Sequence, residues 1–150
     1  GADSTHLTAG GFDGCYSYFG TDGFTVASTP SRWAEMASWA SAQSAGAHGS
    51  FFFVPGVSPG YNDTKIRPWN NGNTRPRSNG QYYRSSWEAA AKLTDLSAVS
   101  ITSWNEWGEG TQIEEVVSRV GYQAYEAGPK MYIEITQTYA AQFRRLQEEL

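Results

Sequence analysis

Apolar runs and helical patterns alternate along this chain, which predicts βα repeats around a parallel sheet. Residues Phe12 to Phe19, within Gly11-Phe12-Asp13-Gly14-Cys15-Tyr16-Ser17-Tyr18-Phe19, read as a first strand whose carboxyl end carries Tyr16 and Tyr18. Ser28 or Thr29 can cap a following helix with Pro30 at its first position. Trp33, Met36, Ala37 and Ala40 then share one face, and Gly46 ends the helix. Ser50 to Val57 forms a second, fully apolar strand through Phe51-Phe52-Phe53-Val54, terminated by Pro55-Gly56 and the Ser58-Pro59-Gly60-Tyr61 turn.

From Asn62 to Gly80 the pattern disappears into Asn, Gly, Pro and Arg, a loop of about twenty residues without periodicity. A loop of that length at the carboxyl end of a strand is expected to be functional. Gln81 to Leu93 returns to helical spacing with Tyr83, Trp87, Ala90 and Ala91 inward, and Ala98 to Trp104 reads as a buried strand after the Thr94-Asp95-Leu96-Ser97 turn. A short fourth strand can follow Gly110. A second loop, Glu115 to Pro129, precedes a terminal helix with Tyr132, Ile135, Tyr139, Gln142 or Phe143, and Leu146 in register. Three or four strands and about three helices make an incomplete sheet, and a full (β/α)8 barrel takes about 250 residues. The expected fold class is α/β, with residues 1–150 as roughly the last half of a TIM-type barrel.

The composition narrows the function. With 39% hydrophobic and 17% charged residues the chain is a folded domain, without an apolar run that spans a bilayer. A net charge of −4 gives no electrostatic support for nucleic-acid or anionic-membrane binding, and the Arg67, Arg75, Arg77 and Arg84 group is embedded in a polar loop. Aromatic residues reach 15%, and many lie beside polar loop residues, which suits carbohydrate recognition as well as a dense core. Cys15 is alone, so no intrachain disulfide forms. His6 and His48 show no metal-ligand spacing, and no cofactor is implied. The first six residues have neither the basic nor the apolar region of a signal peptide.

The candidate chemistry lies in Ser103-Trp104-Asn105-Glu106-Trp107-Gly108-Glu109-Gly110-Thr111-Gln112-Ile113-Glu114, which sets two carboxylates three residues apart. In a strand, positions i and i+3 face opposite ways. If Glu106 and Glu109 act on one substrate, the strand must end near Asn105, with Gly108 and Gly110 turning the chain. Catalytic residues gather at such junctions in parallel α/β folds. Two carboxyls about 5 to 10 Å apart across a sugar bond divide acid and base roles when their environments differ. Trp104 and Trp107 offer an apolar wall and a stacking face. Solvated loop carboxylates beside core tryptophans would carry the same pattern.

Three ordered segments resemble glycoside hydrolase family 99, the endo-α-mannosidases: Ala9 to Phe19, Val57 through Tyr61-Asn62-Asp63-Thr64-Lys65-Ile66-Arg67-Pro68-Trp69-Asn70 to Asn71, and Val99 to Glu114. The resemblance implies the carboxyl-terminal half of a (β/α)8 barrel that cleaves an internal α-1,2-mannosidic bond with retention. It implies Glu106 as base on the sugar's own 2-hydroxyl, which attacks the anomeric carbon, and Glu109 as acid and then base. Tyr18, Tyr61, Arg67, Trp69, Asn70, Asn71, Asn105 and Trp107 would contact sugar. Where members of the family have His between Trp107 and Glu109, this chain has Gly108. The implied partners are a mannose-containing glycan, the remaining half of the barrel, from upstream sequence or another chain, and a larger assembly. The implied location is the lumen of the secretory pathway, or the extracellular or periplasmic space. A non-catalytic carbohydrate-binding or structural barrel protein is the alternative.

Overall fold

A computed structural model describes residues 2–44, 49–94, 96–117 and 124–148, with side chains from residue 5 to residue 145 except at 71. Gly46, His48 and Asp95, and the side chains of Asn71 and Leu146, lie outside the described residues.

The chain opens with helix α1 (Ala2–Ala9), which the apolar pattern does not announce. Its end has the geometry of a Schellman motif: Phe12 N–H donates to Leu7 O at 3.4 Å, Gly11 N–H to Thr8 O at 3.3 Å, and Gly11 sits at φ 71°. Strand β1 (Gly14–Tyr16) follows, shorter than the expected Phe12 to Phe19. A single-turn 3-10 helix, Pro30–Arg32, leads into α2 (Trp33–Ser44). Pro30 starts the turn as expected, but neither Ser28 nor Thr29 caps it by side chain. Both hydroxyls instead donate to Thr25 O, at 3.1 and 2.6 Å.

The expected strand Ser50 to Val57 is divided at Pro55. Its first part, β2 (Phe52–Val54), pairs in parallel with β1 in the register Gly14↔Phe52, Cys15↔Phe53, Tyr16↔Val54. Its second part, β3 (Gly56–Val57), pairs in parallel on the other side with β4 (Ser100–Ile101), in the register Gly56↔Ser100, Val57↔Ile101. Pro55 does not terminate the strand. It has no N–H to donate, and its carbonyl accepts from Ser100 N–H at 3.0 Å, so the strand changes partner there.

One face of these strands is covered by helices and the other is open. Phe51 and Phe53 are buried with Trp33 and Ala40 of α2, whereas Phe52 between them is 46% exposed and Tyr16 is 62% exposed. The second strand is therefore apolar throughout but buried on one face only. Trp33 is fully enclosed and donates from Nε1 to Ala27 O at 2.8 Å. Burying a large apolar side chain contributes on the order of 3 kcal/mol. Helix α3 (Gln81–Ala91) buries Tyr83, Trp87 and Ala90 against α4 (Met131–Glu148), where Tyr132 and Ile135 are buried and Tyr139 stacks on Trp87 with centroids 5.8 Å apart. Ala91, expected inward, is exposed at the last turn, and Gln142 is exposed while Phe143 is half-buried. Among the described residues no strand follows Gly110, because the chain there closes a loop back on Ser103.

Candidate active site

Strand β4 ends at Ile101, three residues before the expected run does, and Ala98 and Trp104 are exposed rather than buried. Thr102 and Ser103, joined by a cis peptide bond, are buried beneath the turn that follows. Residues 103–114 form a closed loop. Ser103 N–H donates to Thr111 O at 2.8 Å, Ile113 N–H to Ser103 O at 3.0 Å and Glu114 N–H to Trp104 O at 3.0 Å. Within it Glu109 N–H donates to Glu106 O at 3.2 Å, so both carboxylates belong to one turn. Ser103 Oγ accepts from Glu106 N–H at 3.0 Å and lies 2.7 Å from Thr111 Oγ1. The side chain of Glu106 is exposed.

Glu109 is held differently. Its side chain is 22% exposed, and Oε1 accepts from Arg67 Nη1 at 2.9 Å. Its carbonyl accepts from Asn62 N–H at 2.8 Å, which docks the long loop on the carboxylate turn. Gly110 makes this approach possible. It sits at φ +64°, and a Cβ there would stand 3.2 Å from both N and O of Asn62. At Gly108 a Cβ would stand 3.1 Å from Ile66 Cδ1, so Ile66 fills the space beside this glycine.

The loop from Asn62 to Gly80 is not structureless. It contains a 3-10 segment, Pro68–Asn73, and an antiparallel bridge between Tyr61 and Arg75. Its centre is Asp63, which is fully buried. Oδ2 accepts from Tyr61 Oη at 2.9 Å, Asn70 Nδ2 at 2.9 Å and Arg67 Nη1 at 3.2 Å, while Oδ1 has no hydrogen-bond partner among the described residues. Burial pushes the Asp63 carboxyl up, but the bonds from Asn70, Tyr61 and Arg67 outweigh it and hold it below the usual carboxylate range. The Arg67 guanidinium is held more firmly protonated by Glu109 and Asp63. Asn73 donates to Asn70 Oδ1. Polar side chains thus replace the apolar periodicity that the sequence lacks.

Tyr18, beyond the end of β1, faces the same place. Its phenol is raised by partial burial and then by the charges of Glu106 and Glu109, with a hydrogen bond to Ser103 acting in the opposite sense. Burial, and then the Asp63 carboxylate, raises Tyr61. A cavity of about 270 Å³ is lined by Tyr18, Phe19 and Phe24 on one side and by Tyr61, Arg67, Asn70 and Glu109 on the other. Phe19 and Phe24 pack with ring centroids 4.4 Å apart and stay about half exposed.

The structure therefore gathers Tyr18, Tyr61, Arg67, Asn70 and Glu109 at one cavity, with Glu106 on the adjoining turn. It does not bring Trp69 there, which is 81% exposed, and Asn105 and Trp104 are also exposed. Trp107 is half-buried, donates from Nε1 to Glu114 Oε2 at 2.9 Å, and lines a different cavity of about 430 Å³ with Asn62, Arg77 and Tyr125. That larger cavity touches neither Glu106 nor Glu109. There Arg77 donates to Gly110 O and Gln112 O at 2.9 and 2.7 Å and lies over Tyr132, a role in packing. Sequence reasoning did not single out Asp63, Ser103, Phe19 or Phe24. An Asp and an Arg four residues apart in a loop after a strand was the available signal for the first. His6 is exposed, and among the described residues no group of three or more His, Cys, Asp or Glu could hold a metal.

Comparisons with known proteins agree on one family. The description "Glycosyl hydrolase family 99" matches residues 2–145. A human glycoprotein endo-alpha-1,2-mannosidase-like protein is 40% identical over 97% of this chain, and rat glycoprotein endo-alpha-1,2-mannosidase is 42% identical over 90%. The match takes in 32% and 29% of those proteins, so the chain spans about a third of their length. The solved GH99 endo-alpha-mannosidase from Bacteroides thetaiotaomicron superposes with a TM-score of 0.86 and 41% identity over 97% of this chain and 42% of that one. The parallel strands and their outer helices are accordingly part of a (β/α)8 barrel. By sequence and by fold, the chain belongs to glycosyl hydrolase family 99.

Proposed function

We propose that this chain supplies the catalytic turn of a glycosidase that cleaves an internal α-1,2-mannosidic bond with retention of configuration. The observation that carries the reading is the convergence of Glu109, Tyr18, Arg67 and Asn70 on one cavity at the carboxyl end of parallel strands, with Glu106 beside it. Relatives named as endo-alpha-1,2-mannosidases support the substrate class.

Glu106 is the base: it takes the proton from the sugar's 2-hydroxyl, and O2 attacks the anomeric carbon. The bond to the leaving oxygen breaks as Glu109 gives that oxygen a proton. Glu109 then takes a proton from water, which opens the anhydro sugar at the anomeric carbon, and O2 recovers its proton from Glu106. Two inversions give net retention. Tyr18 stays a neutral phenol, because its surroundings oppose ionisation, and can donate to a sugar oxygen between the carboxylates. Asn70 and Tyr61 form the polar wall of the cavity, and Phe19 with Phe24 its apolar one. The strands that complete the barrel are a required partner, and the encounter with glycan takes place in the secretory lumen or outside the cytoplasm. Among the described residues no helix is long and apolar enough to cross a membrane.

The test is turnover of an α-1,2-linked mannoside by the complete barrel carrying Glu106→Gln or Glu109→Gln. Each variant is expected to lose about 1000-fold in kcat. Retained turnover in both overturns the proposal, and glycan binding without cleavage by the native protein points to a carbohydrate-binding role instead.

A further inference from the structure

Asp63 is fully enclosed, yet it remains a carboxylate, with one oxygen unpartnered among the described residues. Resting on the reading of Glu109 as acid/base, the geometry points to Asp63 as a positioning residue that acts on Glu109 through Arg67.

A single guanidinium nitrogen serves both carboxylates: Arg67 Nη1 is 2.9 Å from Glu109 Oε1 and 3.2 Å from Asp63 Oδ2. Asp63 therefore fixes where the cation stands relative to Glu109. It engages Oε1 and leaves the second oxygen of Glu109 to meet the glycosidic oxygen. The backbone makes this line stiff. Asp63 O accepts from Arg67 N–H at 2.7 Å and from Ile66 N–H at 2.9 Å, which puts Asp63 and Arg67 on one turn. That turn is tied to the carboxylate loop by the Asn62 N–H bond to Glu109 O.

A purely structural hub does not require a charge here. An asparagine at position 63 would still accept from Tyr61, Asn70 and Arg67. Burying a carboxylate is costly relative to burying a neutral group of the same shape, and the bonds that hold Asp63 ionised keep that charge in place at neutral pH. The charge has a use at Glu109. The groups facing Glu109 are Arg67 and Tyr61 from the long loop, Tyr18 from beyond β1, and Glu106 from its own turn. Arg67 alone would present a bare cation to a residue that must hold a proton and then release it. With Asp63 behind it, Glu109 meets a neutral ion pair.

The experiment measures kcat and KM of the complete barrel against pH, on an α-1,2-mannoside and on a mannosyl fluoride whose departure needs no acid. Asp63→Asn is expected to lower kcat on the natural linkage about 10-fold, with KM within about 2-fold, and to move the alkaline limb down by about one pH unit. On the fluoride its loss shrinks to within about 2-fold. Arg67→Gln removes the cation, leaves the buried Asp63 charge unbalanced and moves the same limb upward. If Asp63→Asn does not fold alone, the double variant with Arg67→Gln, which buries no unbalanced charge, decides the matter: its limb returns toward the native position, and a limb left where Arg67→Gln puts it overturns the inference. An unmoved limb in the folded variants, or equal losses on both substrates, overturns the inference. Glu109→Gln in the same series judges the underlying reading separately. If it keeps the natural turnover, the acid/base assignment falls; if it is inactive there and regains part of the loss on the fluoride, where only its base step is missing, while the limb of Asp63→Asn stays put, only the role of Asp63 falls.

Discussion

The two carboxylates of this turn lie three residues apart and are held by opposite means. Glu109 is gripped at its side chain, by Arg67 with Asp63 behind it, and at its carbonyl by Asn62. Glu106 is fixed through its backbone, where Ser103 Oγ accepts its N–H, and among the described residues its carboxylate has no hydrogen bond or ion pair. The difference matches the work proposed for each. An acid/base that must serve two successive steps is kept aligned by a buttress, whereas a base that meets one hydroxyl can be oriented by the sugar itself.

The largest effects should separate the pair by chemistry. Glu109→Gln should lose about 1000-fold on the natural linkage and regain part of that loss on the mannosyl fluoride, where only its base step is missing, while Glu106→Gln should lose about as much on both, measured as kcat. Next comes the seam between the two loops. Gly110→Ala forces an L-side chain to φ +64° against Asn62, and should cost about 1–2 kcal/mol in thermal or denaturant unfolding together with turnover. A smaller change probes the Glu106 side. Ser103→Ala removes the acceptor of the Glu106 N–H and the partner of Thr111, and a loss of about 1 kcal/mol should appear as a roughly 5-fold lower kcat, equal on both substrates. Tyr18→Phe should reduce kcat about 2- to 5-fold. Its absorbance difference from the native protein should place the missing phenol's titration above 10.0, the ordinary value.

Acid should reveal the buttress as well. Asp63 is held below its ordinary 3.8, so its contribution to stability is present above 3.8 and lost as pH falls through the lower folded value. Asp63→Asn should therefore flatten the acid limb of the unfolding curve relative to the native protein.

Much of the scaffold was legible in the sequence, because helices α2, α3 and α4 carry their apolar faces at 3.6-residue spacing and the strands are short apolar runs. Of the residues the sequence put forward, Tyr18, Tyr61, Arg67, Asn70 and Glu109 line one cavity and Glu106 lies on the adjoining turn. What was not legible depends on contacts between distant segments. Asp63 matters because residues 62 and 109 meet, and no local pattern records a contact of that range. Trp107 looked like a sugar platform from its neighbours, but the closed loop turns its N–H to Glu114. Pro55 looked like a stop, since a missing N–H usually ends pairing. Here only the edge toward β4 is active at that residue, and the carbonyl is all that edge needs.

That change of partner at Pro55 also governs how the cylinder can close. The middle strand spends one edge on β1 and the other on β4, so it has none left for a newcomer. The remaining staves can join only along the far sides of β1 and β4. A slip in register at either of these two seams would rotate the joining staves past the turn while leaving the turn itself intact. Alignment of the two carboxylates is thus local to this chain, and alignment of the substrate to them is a property of how the circle is shut.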